Sequence, residues 1–103
     1  MEFIEATAFT KYVYKYLSEA EYIGLQSFLL QQPEAGKVVP GSGGVRKIRW
    51  GMSGRGKSGG VRVIYYFKRQ DDEIWLLTIY SKSEEENIPA HVLRQIAKEI
   101  KDG

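Results

Sequence analysis

The sequence of 103 residues predicts an α+β fold with an N-terminal strand and two helices, an antiparallel three-stranded meander and a C-terminal helix. Two observations predict this class. Apolar residues recur at helical spacing in the first third and at the end of the chain, whereas the middle alternates between apolar and polar residues, as strands do. No internal repeat or linker interrupts this order, so we expect one domain over residues 1–103.

The N-terminal third is predicted to form a strand and two helices. Glu2–Glu5 alternates like a short strand, and Thr7 is expected to cap the first helix. Ser18 and Glu21 have the spacing of a capping box for the second helix, which Pro33 ends. The apolar and aromatic residues of both helices, which we assign to the core, are Phe9, Tyr12, Val13, Tyr16, Leu17, Tyr22, Leu25, Phe28 and Leu29.

Three runs of strand-like sequence follow, and polar turns separate them. They are Val45–Trp50, Val61–Phe67 and Glu73–Ser81. Alternation predicts a core-like face and an opposite face that mixes basic and aromatic side chains. The residues expected on the core-like face are Val61, Val63, Tyr65, Phe67, Trp75, Leu77 and Ile79, and those expected opposite include Arg62, Ile64, Leu76, Tyr80 and Lys82.

A final helix is predicted after the acidic run 84–86. Pro89 suits the first position of a helix, and the apolar residues Val92, Ile96 and Ile100 follow at helical spacing. His91, in the first turn of this helix, is expected to be an ordinary solvated histidine.

The composition excludes several classes of protein. The chain has no cysteine and a single histidine, so disulfide scaffolds, zinc sites and Ser-His-Asp or thiol catalysis lack their side chains. The longest apolar runs, Val63–Phe67 and Ile74–Leu77, are far shorter than the roughly 20 residues of a membrane span. The N-terminus has no signal-peptide pattern, so a cytoplasmic location is expected.

Charge is segregated along the chain, although the net charge is only +2. Nine Lys and Arg and no acid lie between Glu34 and Asp71, and the remainder of the chain is acidic. A block of one sign with interspersed aromatic residues is typical of proteins that bind phosphates. The alternative is that these side chains spread over several strands and form no single patch.

A glycine-rich segment within this block, Gly51–Gly60, matches the letters of a phosphate-binding P-loop. A P-loop must open a helix, however, and this segment leads into the strand that begins at Val61. We therefore interpret it as a basic hairpin loop.

Three segments together resemble HigB-type toxins of the RelE/ParE superfamily, the toxic halves of type II toxin–antitoxin modules. They are GSGGVRKIRW at 41–50, GRGKSGGVRVIYYF at 54–67 and WLLTIYSKSEEE at 75–86. The resemblance covers nearly the whole chain and implies a RelE-like small domain. It also implies a metal-independent, cofactor-free endoribonuclease that enters the ribosome and cleaves the messenger by attack of a ribose 2′-OH on the adjacent phosphate. The implied partners are the ribosome, mRNA and a cognate antitoxin of the helix-turn-helix type.

The resemblance also suggests residue roles, because lysine and arginine must replace the His and Glu of ordinary ribonucleases in this basic block. Arg62 is the candidate phosphate clamp, Lys57 a candidate base or phosphate anchor, Lys82 the basic residue after the last strand, and Tyr80 a candidate for stacking on a base. The candidate RNA-binding residues are Arg46, Lys47, Arg49 and Arg55.

The same candidate residues also have structural interpretations, and the sequence is compatible with other functions. In the structural alternative, Arg62 pairs with a surface carboxylate, Tyr80 is half-buried packing, and Lys82 neutralises the acids at 84–86. The chain also departs from better-known RelE proteins, since Ser83 follows Lys82 and the C-terminal helix has no tyrosine. The general acid and base are therefore unassigned. A ParE-like gyrase poison and a non-catalytic RNA-binding module are the alternative functions.

Overall fold

Five strands form one sheet with helices on both of its faces in the computed structural model, which describes residues 1–51, 60–84 and 88–103. The strand order is β1-β5-β4-β3-β2; β1 runs parallel to β5 and the other neighbours are antiparallel. The predicted α+β class and meander are confirmed, whereas β2 was not predicted. The elements of the described residues are β1 (Glu2–Glu5), α1 (Thr7–Tyr16), α2 (Glu19–Gln31), β2 (Lys37–Val38), β3 (Arg46–Trp50), β4 (Val61–Lys68), β5 (Glu73–Ser81) and α3 (Ala90–Asp102).

Each face of the sheet carries a hydrophobic core. Helices α1 and α2 cover one face, and both of their aromatic stripes pack there, as predicted. Helix α3 covers part of the opposite face, where a smaller cluster lies. The first core contains Phe9, Val13, Leu25, Leu29, Ile48, Val63, Tyr65, Leu76 and Ile79, and the second contains Val45, Ile64, Leu77, Tyr80, Leu93, Ala97 and Ile100.

A bulge in β5 changes which side chains face each core. Ile64 pairs with Thr78 but the next residue of β4 pairs with Leu76, so Leu77 is an extra residue in the ladder. Side chains alternate with a period of two, and one extra residue therefore reverses the faces beyond it. Leu76 joins the α1/α2 core, and Trp75 and Leu77 join the opposite one. The predicted faces of these three residues were wrong.

The helix ends follow the sequence in part. The predicted capping box is present: Ser18 Oγ accepts from the Glu21 amide at 3.1 Å, and the Glu21 carboxylate accepts from the Ser18 amide at 2.8 Å. The expected cap at Thr7 is wrong, because Thr7 lies inside α1 and Ala6 occupies the cap position. No helix within the described residues is long and apolar enough to cross a membrane.

Helix α3 presents a different stripe to the sheet from the one expected. Leu93, Ala97 and Ile100 are its buried residues, whereas Val92 is 38% exposed and Ile96 packs only at the edge. Ile100 is buried as predicted, whereas Leu93 and Ala97 take the buried positions expected for Val92 and Ile96.

Tyr65 holds the connection between α2 and β2 against the sheet. Its fully buried hydroxyl accepts from the Gly36 amide at 2.9 Å and donates to the Pro33 carbonyl at 2.8 Å. A side chain at Gly36 would lie 2.9 Å from the Tyr65 ring, so this close approach requires glycine. Burial raises the pKa of Tyr65, and the hydroxyl stays protonated as a donor.

Replacing Tyr65 by phenylalanine is expected to lower the free energy of unfolding by about 1–3 kcal/mol, because the buried Gly36 amide loses its partner. Denaturant unfolding of the two proteins measures this difference. Tyr14→Phe is the matched control, since the Tyr14 side chain is exposed and its hydroxyl is expected to contribute little. An equal effect of both substitutions would contradict the role given to Tyr65.

Candidate nucleic-acid interface

Strands β2, β3 and β4 place four basic side chains on one face of the sheet. Lys37 pairs with Lys47 across β2 and β3, and Arg49 pairs with Arg62 across β3 and β4. Residues paired in this way extend to the same face. The intervening Ile48 packs into the α1/α2 core, so the four cations extend to the opposite side, on which α3 lies. We call Lys37, Lys47, Arg49 and Arg62 the basic surface.

The basic surface lines an open cavity of about 440 Å³. Lys37, Lys47 and Arg49 are exposed, and Arg62 is partly buried. Ala35, Gly36 and Ile48 complete its described lining. No acidic residue lines the cavity in the described part of the chain. Four cations that face one cavity, with no acid among its described lining residues, create a positive potential that attracts phosphate groups.

Cations elsewhere in the described residues contrast with this arrangement, because several are neutralised within the protein. Lys68 pairs with Asp71 at 2.9 Å, and Lys15 lies 3.6 Å from Glu84. Arg46 and Arg69 both pair with Glu34. Lys37, Lys47 and Arg49, by comparison, form no ion pair with another described residue. Four of the nine cations in the basic block of the sequence therefore lie together on one face of the sheet.

Arg46, predicted to bind RNA, lies on the other face and is not part of the basic surface. Its guanidinium donates to the carbonyls of Glu34 at 3.0 Å and Gly36 at 2.7 Å. Strand alternation explains the difference, since Arg46 and Lys47 are adjacent and therefore extend to opposite faces. Arg46 ties the α2–β2 connection to β3.

Arg46→Ala is expected to lower the free energy of unfolding by about 1–3 kcal/mol, because two carbonyls lose a charged donor. Lys47→Ala is the matched control on the neighbouring residue and is expected to change it by less than about 0.5 kcal/mol. Thermal or urea unfolding of both variants checks the contrast. Equal stability of the two variants would contradict a structural role for Arg46.

Tyr80 and Lys82 lie at the end of β5, next to Arg62. Tyr80 is the cross-strand partner of Arg62, but only 5% of its surface is exposed because it packs in the core beneath α3. Base stacking by Tyr80 fits this burial poorly. Lys82 is exposed and begins a short 3-10 turn, Lys82–Glu84. The acid of this turn, Glu84, contacts α1 and pairs with Lys15.

The remaining candidates are placed as follows. Arg55 and Lys57 lie outside the described residues. Lys37 joins the basic surface although sequence reasoning did not select it. Lys37 is one of the nine cations between Glu34 and Asp71, but its place on this face depends on β2. A strand of two residues is too short to be predicted from sequence alternation. His91 is exposed, as expected. No cluster of three or more His, Cys, Asp or Glu able to hold a metal ion occurs among the described residues.

A small α+β protein with a cationic surface on its sheet, and no acid among the described lining residues, has the charge distribution typical of proteins that bind polyanions. Comparison with protein families specifies this class further. Residues 31–102 match the family model of the RelE toxin of the RelE / RelB toxin–antitoxin system, and the chain belongs to this family. It is therefore a toxin of a toxin–antitoxin system. The match begins at the end of α2 and includes every residue of the basic surface.

Proposed function

We propose that this toxin is a HigB-type, ribosome-dependent endoribonuclease that cleaves messenger RNA. The observation that carries the proposal is the basic surface, in which Lys37, Lys47, Arg49 and Arg62 face one cavity without a carboxylate among its described lining residues. A messenger presents a line of phosphates, which such a surface binds by charge and without sequence preference. Family membership supports the proposal independently.

The chemistry that suits this surface is transfer within the RNA backbone. The 2′-oxygen of a ribose attacks the adjacent phosphorus, and the bond from phosphorus to the 5′-oxygen of the next nucleotide breaks. The products are a 2′,3′-cyclic phosphate and a 5′-hydroxyl. The proton of the 2′-hydroxyl leaves to a base, and the departing 5′-oxygen gains a proton. Cations contribute by stabilising the extra negative charge that the phosphorane carries in the transition state.

Within this proposal, Arg62 is the clamp on the non-bridging phosphate oxygens. Its cross-strand partners are Arg49 on β3 and Tyr80 on β5, so Arg62 is the middle residue of these three. The planar guanidinium suits two oxygens of one phosphate. Lys47, Arg49 and Lys37 bind flanking phosphates, while Lys57 and Lys82 are the candidates for proton transfer or for a further phosphate contact.

Primer extension on messengers from cells expressing the toxin tests the proposal. We expect new ends within translated codons, and none for the double variant Lys47→Ala/Arg49→Ala, since each lost phosphate contact weakens RNA binding. Lys11→Ala is the matched control, because Lys11 is an exposed cation on α1, the helix on the opposite face of the sheet. Double-strand DNA breaks without new RNA ends would contradict the proposal and favour a gyrase poison. RNA binding without cleavage would favour a non-catalytic module.

The proposed partner is a cognate antitoxin with a helix-turn-helix domain. We expect it to co-purify with the toxin, and growth inhibition to end when both are expressed. If it covers the basic surface, Lys47→Ala/Arg49→Ala will raise its dissociation rate, whereas an antitoxin bound elsewhere will leave that rate unchanged. Failure of any neighbouring gene product to bind or to rescue growth would contradict this partner.

A further inference from the structure

The turn that follows β5 is tied to the last residues of α1. Tyr16 Oη donates to Glu84 Oε1 at 2.5 Å, and Lys15 Nζ lies 3.6 Å from Glu84 Oε2. Ser81 Oγ, at the end of β5, donates to the same Oε1 at 3.2 Å. Glu84 therefore joins three points of the fold. We call Lys15, Tyr16, Ser81 and Glu84 the Glu84 clamp.

The electrostatics of the Glu84 clamp favour this arrangement at neutral pH. The hydrogen bond from Tyr16 is the main cause that lowers the pKa of Glu84, so the carboxylate is ionised. Burial is the main cause that raises the pKa of Tyr16, so its hydroxyl keeps the proton that it donates. A donor to an ionised acceptor gives one of the stronger hydrogen bonds of proteins. The Tyr16 ring itself packs against the α1/α2 core, which makes it a firm attachment point.

The position of the turn matters because Lys82 is its first residue. Ser81 pairs with Val61, and the adjacent pair is Tyr80 with Arg62. The backbone of Lys82 therefore leaves the sheet at the end where Arg49 and Arg62 lie. Only Ser83 separates Lys82 from Glu84, so the clamp limits where the lysine backbone can move relative to Arg62.

We propose that Tyr16 and Glu84 are positioning residues, which hold Lys82 at the edge of the basic surface without touching the RNA themselves. The inference rests on the proposed function, in which Lys82 acts at or beside the cleaved phosphate. Tyr16 lies on α1, outside the residues matched by the family model and outside the basic block. Its contribution comes from the side of the sheet opposite the basic surface.

The test is single-turnover cleavage of a messenger on purified ribosomes with toxin in saturating excess. Tyr16→Phe keeps the ring and removes only the donor. We expect its cleavage rate to fall about tenfold, because a misplacement of about 1 Å near the chemistry costs up to 10²-fold. Its affinity for ribosomes is expected to stay close to that of the wild type, and circular dichroism must show that it is folded at the assay temperature. Tyr14→Phe, on the same helix and exposed, is the matched control and is expected to cleave at the wild-type rate.

The combination with Lys82→Ala separates positioning from a general structural effect. If Tyr16 acts through Lys82, the double variant Tyr16→Phe/Lys82→Ala will be no slower than Lys82→Ala alone. The inference is overturned if Tyr16→Phe cleaves like the wild type, if Lys82→Ala has no effect, or if the two effects multiply. Absence of cleavage by the wild-type toxin overturns the proposed function and the inference with it. Wild-type cleavage with an unaffected Tyr16→Phe variant overturns the inference alone.

Discussion

Replacing Arg62 by alanine is expected to lower the rate of messenger cleavage by about 10²–10³-fold and to abolish growth inhibition. The side chain belongs to the basic surface beside Arg49, and no described residue of the cavity lining carries a negative charge. In the proposed mechanism, loss of the guanidinium removes a donor to the charge that develops on the phosphate. Cleavage on purified ribosomes, measured at saturating toxin, gives this rate directly.

Two further variants make the Arg62 result specific. Arg62→Lys is expected to recover little activity, because an ammonium cannot contact two oxygens of one phosphate in the planar geometry of a guanidinium. Lys11→Ala, which removes an exposed cation from α1, is expected to cleave like the wild type. Circular dichroism must show that each variant is folded. A folded Arg62→Ala protein as toxic as the wild type would contradict the role of Arg62.

The second large effect concerns the ribosome. Purified toxin is expected to cleave free single-stranded RNA at least about 10³-fold more slowly than the same RNA held in a ribosome, because holding the reacting groups in line supplies much of the rate. The basic surface provides cations but holds no histidine or carboxylate among its described residues. The orientation of the substrate must then supply part of the catalysis.

This comparison uses one RNA in two states, with equal toxin and salt concentrations. Salt is held constant because phosphate contacts weaken steeply as ionic strength rises. Rapid cleavage of the free RNA would contradict the dependence on the ribosome. Cleavage that requires added Mg²⁺ in the free state would indicate a different mechanism.

Much of the fold could be predicted from local patterns. The capping box at Ser18, the two aromatic stripes and the limits of β5 depend on neighbouring residues, and the structure confirms them. The bulge at Leu77 depends instead on the pairing of two strands that are distant in sequence, and no periodicity reveals it. It explains why Ile79 and Leu76 share a core although strict alternation places them on opposite faces.

The candidate site was predicted less completely, for a related reason. Strand alternation correctly placed Lys47 and Arg49 on one face, and the register adds Arg62 beside Arg49. Arg46 lies outside the basic surface, and its guanidinium contacts a carboxylate and two carbonyls of the α2–β2 connection, which charge patterns do not locate. Lys37 was missed because its strand contains two residues and forms only by pairing with β3.

The most direct test of the central claim is cleavage of a messenger that lacks one 2′-hydroxyl. The cleavage position is first mapped on ribosomes with the all-ribose messenger, and the nucleotide on its 5′ side is then replaced by its 2′-deoxy form. Our account predicts that cleavage at that position stops, while the all-ribose messenger yields a 2′,3′-cyclic phosphate and a 5′-hydroxyl. Continued cleavage of the 2′-deoxy messenger at the same bond would contradict it.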